Sequence, residues 1–312
     1  MISALVSVLI FPGFLFLFIL ALAAEYVDRK LYARMQTRVG PPWFQPFADF
    51  VKLLAKELII PENADKMIFK TLPLVACAAA ATAFLYIPKW GDAIFSFRGD
   101  IVAVIYIMTI PTLTYFLGGW YSRSLYSLLG SMRVLTQLFS YEVPLLMAVL
   151  APGIIASSWT FSHVIDFYSA RGFLFLINII GFGVALVAVQ GKLEKVPFDI
   201  PEAETEIVAG SFTEYTGPLY AYFKLAMNMQ AISVSALLAA VFLPFGYHLG
   251  FILGMLIFLV KILFIISLLA VGRTIFARIR MDQMVLFCWK YLTPLALLQI
   301  LINIIVKAMI IK

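Results

Sequence analysis

Six carboxylates, Glu194, Asp199, Glu202, Glu204, Glu206 and Glu214, fall within residues 192–217 of a chain otherwise apolar enough to sit in lipid. Acids gathered between hydrophobic runs form a cation-handling pattern, because charge is too costly there to persist without a task. Pro201 suits the first position of a helix, with Glu202 and Glu204 in a first turn whose dipole favours acids. Such capping accounts for one or two carboxylates, not six. Glu202 and Glu206 would share a helix face at i, i+4 and repel. Crowding of this kind predicts raised pKa values for some of the acids, which suits them to carry protons. A divalent metal site is an alternative that no histidine or cysteine in the segment supports.

Two more charges stand inside hydrophobic runs. Glu142, in Phe139-Ser-Tyr-Glu-Val-Pro144, lies ~16 Å into its run at 1.5 Å per residue. A carboxylate at that depth must be protonated, paired or hydrated, and each state is useful for moving protons. The plainer alternative is an acid hydrogen-bonded for packing. Pro144 removes a nearby helix hydrogen bond and loosens the backbone. Lys261 sits mid-run, too far from either end to snorkel. It is therefore expected to approach Glu142, directly or through water, or to line the same hydrated path.

The elements that must position these groups are transmembrane helices. The 312 residues are 63% hydrophobic and 13% charged, with a mean hydropathy of +1.00. A soluble domain is roughly 45–50% apolar and 25% charged. Runs of about 20 apolar residues recur, unlike the alternation of a membrane β-barrel. The expected fold is all-α: one polytopic integral membrane domain spanning 1–312, with about eight transmembrane helices and an amphipathic helix on the cytoplasmic face. The spans are placed at 2–24, 68–88, 101–121, 132–156, 172–191, 218–243, 249–272 and 288–310. The first has no basic flank or cleavage site, so it is expected to be retained.

Most of the 23 Lys and Arg residues fall on the side that carries residues 25–67 and 192–217. The positive-inside rule puts that side in the cytoplasm of a cell-membrane protein and both termini outside. The net charge of +6 is then a topology signal, not a nucleic-acid footprint. Within 25–67, the stretch from Gln45 to Glu57 sets Phe47, Phe50, Leu53 and Leu54 on one helical face, with Asp49, Lys52 and Lys56 opposite. Such a helix lies in the interface plane and either meets a soluble partner or rests on lipid headgroups. Cys77 and Cys288 are isolated, as are His163 and His248, so the chain is expected to hold no cofactor of its own.

Three blocks resemble subunit 1, also called the H subunit, of respiratory complex I. They are Asp28-Arg-Lys-Leu-Tyr-Ala-Arg-Met-Gln-Thr-Arg-Val-Gly-Pro-Pro42 with Gln45-Pro46, Gly119-Trp120 through Ser140-Tyr-Glu-Val143, and Val196 through Gly210 with Glu214-Tyr215. A looser fourth runs from Arg278-Ile-Arg-Met-Asp-Gln283 into Trp289-Lys290. The resemblance implies a subunit without a redox centre that docks a cytoplasmic arm bearing iron–sulfur clusters. It implies that Asp199, Glu202, Glu204 and Glu206 form an acidic loop and that Glu142 continues the path inward; from their positions in the chain, Glu214 and Lys261 are expected on the same ion path. Arg29, Arg34, Arg38, Arg278, Arg280 and Asp282 are the implied docking residues.

Only Pro42-Trp43-Phe44 separate Pro41 from Gln45, where quinone-reducing members carry a longer loop. The short form resembles the branch of membrane-bound group 4 nickel–iron hydrogenases and sulfur-reducing relatives. That branch implies partner subunits: hydrogenase-like large and small chains holding a [NiFe] site, an iron–sulfur subunit, and antiporter-like membrane chains in the same bilayer. The expected function is a membrane anchor that couples redox chemistry to proton or sodium translocation. The alternatives are the quinone-site subunit of a complex I-type dehydrogenase, an independent cation carrier, and an inert anchor.

Overall fold

The computed structural model describes residues 2–91, 93–247 and 249–310, and side chains for all of these except 2–4, 204, 205 and 310. Among the described residues, eight helical stretches are long and apolar enough to cross a membrane. The protein is all-α, with no strand among the described residues. His248 lies outside the described residues.

α1 (Ile2–Leu9) meets α2 (Phe14–Met35) at a break, and together they form the first span. The amphipathic α3 (Gln45–Leu54) follows, with Phe50 packed edge-on against Phe18. α2 stays helical to Met35, so the segment expected to leave the bilayer at 25 begins as a protruding helix. α4 (Lys66–Tyr86) starts at Asp65, whose side chain accepts from the backbone of Met67 and Ile68. This is an ordinary N-cap, satisfying donors that a helix start leaves free.

The third span is broken in two, α5 (Asp100–Ile107) and α6 (Thr109–Tyr121). Pro111 supplies no N–H to the carbonyl of Ile107, which explains the break. α7 (Leu125–Ala156) is longer than the expected 132–156, and its first turns pack against α6 and residues 210–211. α8 (Phe161–Ser169) is a short connector, and α9 (Ile179–Lys192) ends at the acidic segment. α10 (Glu204–Ile207) is one turn, after which α11 (Gly217–Phe242) and α12 (Phe251–Ile275) form a pair. α13 (Met281–Phe287) leads through a π turn into α14 (Thr293–Ile310).

α11 is the buried axis, with α2, α4 and α12 around it. α7 is the second axis, packed on α6, α9 and α14. Their facing surfaces bury small and aromatic residues such as Ala226, Phe223, Tyr141 and Ala148, and lipid-phase helices pack closely through such small residues. The acidic segment sits across the end where α9 stops and α11 begins.

Candidate functional site

The acidic segment is not the helix that Pro201 suggested. Residues 201 and 202 form a turn and α10 begins only at Glu204, so Glu202 and Glu206 share no helical face. Its path is fixed by contacts to the backbone. Gln137 of α7 donates to the carbonyls of Gly191 (2.7 Å) and Phe198 (2.8 Å), and Gln190 donates to Val196 (2.7 Å) and Leu269 (3.2 Å). Gly210, at φ +55, lies so close to the Pro201 carbonyl that any side chain would collide. Gly130 of α7 admits the Gly210–Ser211 backbone in the same manner.

α9 ends in a Schellman motif. The Lys195 N–H reaches the Gln190 carbonyl at 3.2 Å, and the Glu194 N–H reaches Gly191 at 3.2 Å. The left-handed position in that motif is normally glycine. Here it is Glu194, at φ +51. The conformation turns its carboxyl into the protein, where it is 6% exposed and neither oxygen has a hydrogen-bond partner. Burial, with a smaller push from Glu202, raises its pKa to about 8.

Glu194 lines a cavity of about 560 Å³ enclosed by α2, α6, α11, α12 and the acidic segment. Asp199, Glu202 and Lys192 share that wall. Lys192 is almost wholly buried, and its ammonium lies 3.4 Å from Glu142. Glu142 is therefore level with the end of α9, shallower than counting along its run indicated. Buried polar contacts continue inward from the same cavity. Tyr115 donates to Gln230 (3.2 Å), Gln230 to Thr112 (3.4 Å), and Tyr141 to Thr112 (3.4 Å). Tyr115 and Gln230 line the cavity, and Lys192 lies 5.3 Å over the Tyr141 ring. Because Gln230 and Tyr141 both donate to Thr112, these contacts converge on one hydroxyl and tie α6, α7 and α11 together.

Two acids of the segment are held by bases. Asp199 pairs with Arg278 (3.3 Å). Glu206 faces outward between Arg133 (2.7 Å) and Arg278 (3.6 Å). The Arg133 hydrogen bond, together with Arg278 and Arg280, lowers the Glu206 pKa, the opposite of crowding. Glu214 is half-buried and away from the cavity. The backbone of Glu204 opens α10, but its side chain lies outside those described.

Lys261 does not approach Glu142. Its ammonium donates to the carbonyls of Leu243 (2.6 Å) and Phe245 at the far end of the bundle, and lies 4.2 Å over the Tyr247 ring. The loop after α11 folds back, so its orphaned carbonyls come down to the lysine. Lys192 fills the place expected for Lys261.

Among the docking candidates, Arg34, Arg38, Arg280 and Asp282 are exposed. Arg29 is tied to Glu25 and Asp49, and Arg278 is tied to the acidic segment. Sequence reasoning missed Asp28, which holds Lys195 (2.9 Å) and Arg273 (3.5 Å) at the cavity. It also missed Thr112, Tyr115 and Gln230. The available signal was polar side chains in apolar runs, which usually bridge helices. Among the described residues, no three His, Cys, Asp or Glu side chains gather as a metal site.

A bundle of apolar helices lined internally by a charged cavity defines a polytopic membrane protein. Comparison with known proteins agrees. A family model described as NADH dehydrogenase matches residues 7–304, and the chain belongs to that family. It is 36% identical over 300 residues to the H subunit of NADH-quinone oxidoreductase from Carboxydothermus hydrogenoformans, covering 92% of this chain and 85% of the relative. The corresponding H subunit from Bacillus cereus (strain B4264) is 37% identical over 294 residues, covering 90% and 87%. A chain in the structure of the membrane-bound sulfane sulfur reductase, an archaeal respiratory membrane complex, shares the fold. Its TM-score is 0.88 at 23% identity, over 96% of this chain and 99% of that one.

Proposed function

We propose that this chain is the membrane-anchor and coupling subunit of a hydrogenase-like oxidoreductase. Its acidic segment and the exposed Arg34, Arg38, Arg280 and Asp282 meet a cytoplasmic electron-transfer arm, with both termini outside. Redox events in that arm alter the charge around the cavity, and the acids pass the change to ion-translocating neighbours. The observation that carries this reading is Glu194. A buried, unpartnered carboxyl opens on the same cavity as Lys192, which holds Glu142. Such a carboxyl, with its pKa near neutrality, responds to any nearby change of charge. The exposed Trp43 and Phe44 of the short link stay off the cavity wall, which supports the hydrogenase-like branch.

A second reading is a quinone-site subunit. The relatives from NADH-quinone oxidoreductases favour it, as do Ala21, Ala24, Met227 and Ile266 on the cavity wall beside its charges. Affinity purification of the tagged chain from mild detergent distinguishes the two. The first reading expects a large subunit bearing nickel-binding Cys-x-x-Cys pairs and no flavin-bearing NADH-oxidising chain. Recovery of the flavin-bearing chain instead would select the second.

A further inference from the structure

A separate lateral groove of about 280 Å³ runs between α2, α3 and α11. Leu22, Phe50, Leu53 and Leu225 make it apolar on one side, and Lys52, Lys56 and Lys224 line it as well. Its two acids are already engaged. Glu25 and Asp49 both hold Arg29, and Asp49 also accepts from Gln45 and Glu25 from Asn228. Among the described residues, none of the three lysines is ion-paired with a carboxylate. Lys52 lies in the last turn of α3 and Lys56 just past its end, and both line the groove.

Cations gathered over an apolar slot, on an interfacial helix flanked by two spans, match a ligand that carries an anionic head and a hydrocarbon tail together. We propose that this groove seats an anionic phospholipid. Its phosphate lies among Lys52, Lys56 and Lys224, and an acyl chain runs along Leu22, Phe50, Leu53 and Leu225. A soluble protein is the poorer fit, because it would have to push carboxylates between membrane-spanning helices. The groove shares Glu25, Arg29, Lys224 and Asn228 with the inner cavity. A phosphate there competes with Glu25 and Asp49 for Arg29, so the lipid bears on the neck between the two spaces.

The test uses the intact assembly in nanodiscs of phosphatidylcholine doped with phosphatidylglycerol that carries a photoactivatable acyl chain. Crosslinked peptides are mapped by mass spectrometry. Crosslinks are expected in α2, α3 and α11, falling about fivefold for each lysine lost in Lys52→Gln/Lys56→Gln, the juxtamembrane attraction of one basic residue. Lys66→Gln/Lys70→Gln, exposed and outside the groove, should leave the yield unchanged. Equal crosslinking by photoactivatable phosphatidylcholine would overturn the proposal, as would an unchanged yield in Lys52→Gln/Lys56→Gln. Displacement of the lipid by millimolar inorganic phosphate would make this a free-anion site instead. Loss of the soluble arm from Lys52→Gln/Lys56→Gln with crosslinking intact would make it a protein-docking face.

Discussion

Lys192 and Glu142 stand 3.4 Å apart where the end of α9 meets α7, the lysine 1% exposed and the carboxylate 18%. Removing one member of a buried pair strands the other, and that costs more than the pair contributes. Lys192→Met and Glu142→Gln are each expected to lower the thermal stability of the assembly. The double variant should be more stable than the sum of the two losses, with a coupling of about 0.5–3 kcal/mol. Strict additivity in thermal unfolding would deny the contact.

Glu194 should give the assembly a distinctive pH dependence. Its folded pKa of about 8 exceeds the ordinary 4.5, so the folded form binds the extra proton between those values. Its contribution is therefore fully present below pH 4.5 and lost as pH rises to about 8, at no more than about 1.4 kcal/mol per pH unit. Glu194→Gln should flatten the stability profile across that window. An unchanged profile would mean that the carboxyl is not protonated in the folded state.

The left-handed backbone of Glu194 predicts a stability–function conflict. A side chain in that conformation costs about 1–2 kcal/mol, and glycine is free of it. Glu194→Gly should raise the unfolding temperature while weakening ion translocation. A variant that is both less stable and fully coupled would argue against any role for this carboxyl at the cavity.

Lys261 is expected to behave as a structural clamp. Lys261→Met leaves the Leu243 and Phe245 carbonyls without their donor, at about 1–3 kcal/mol for each buried orphan. Hydrogen exchange should rise in residues 243–250, while coupling of electron transfer to ion movement is kept. Lost coupling with normal exchange in that loop would return Lys261 to the ion path.

Much of the architecture is written in the chain. Runs of apolar residues mark all eight spans, and Asp65 and Gly217 stand at the starts of two of them. The acidic segment was visible because its carboxylates interrupt that pattern. Which acids face the cavity was not, because it depends on the left-handed turn at Glu194 and on Arg133 and Arg278 drawing Glu206 outward. Lys192 read as a topology signal since its partner is 50 residues away, and no local spacing records such a pairing. Lys261 misled for a related reason. Distance along a helix ignores a loop that folds back to meet the side chain.

In the proposed coupling, the cavity acids and the Glu142–Lys192 pair link redox events to ion movement. The most direct test is electron-transfer-driven ion uptake by proteoliposomes holding the intact assembly with Glu142→Gln, against the wild type. Electron transfer should persist while uptake per electron falls by about tenfold or more, a barrier change of about 1.4 kcal/mol. Undiminished uptake at a normal electron-transfer rate would contradict it.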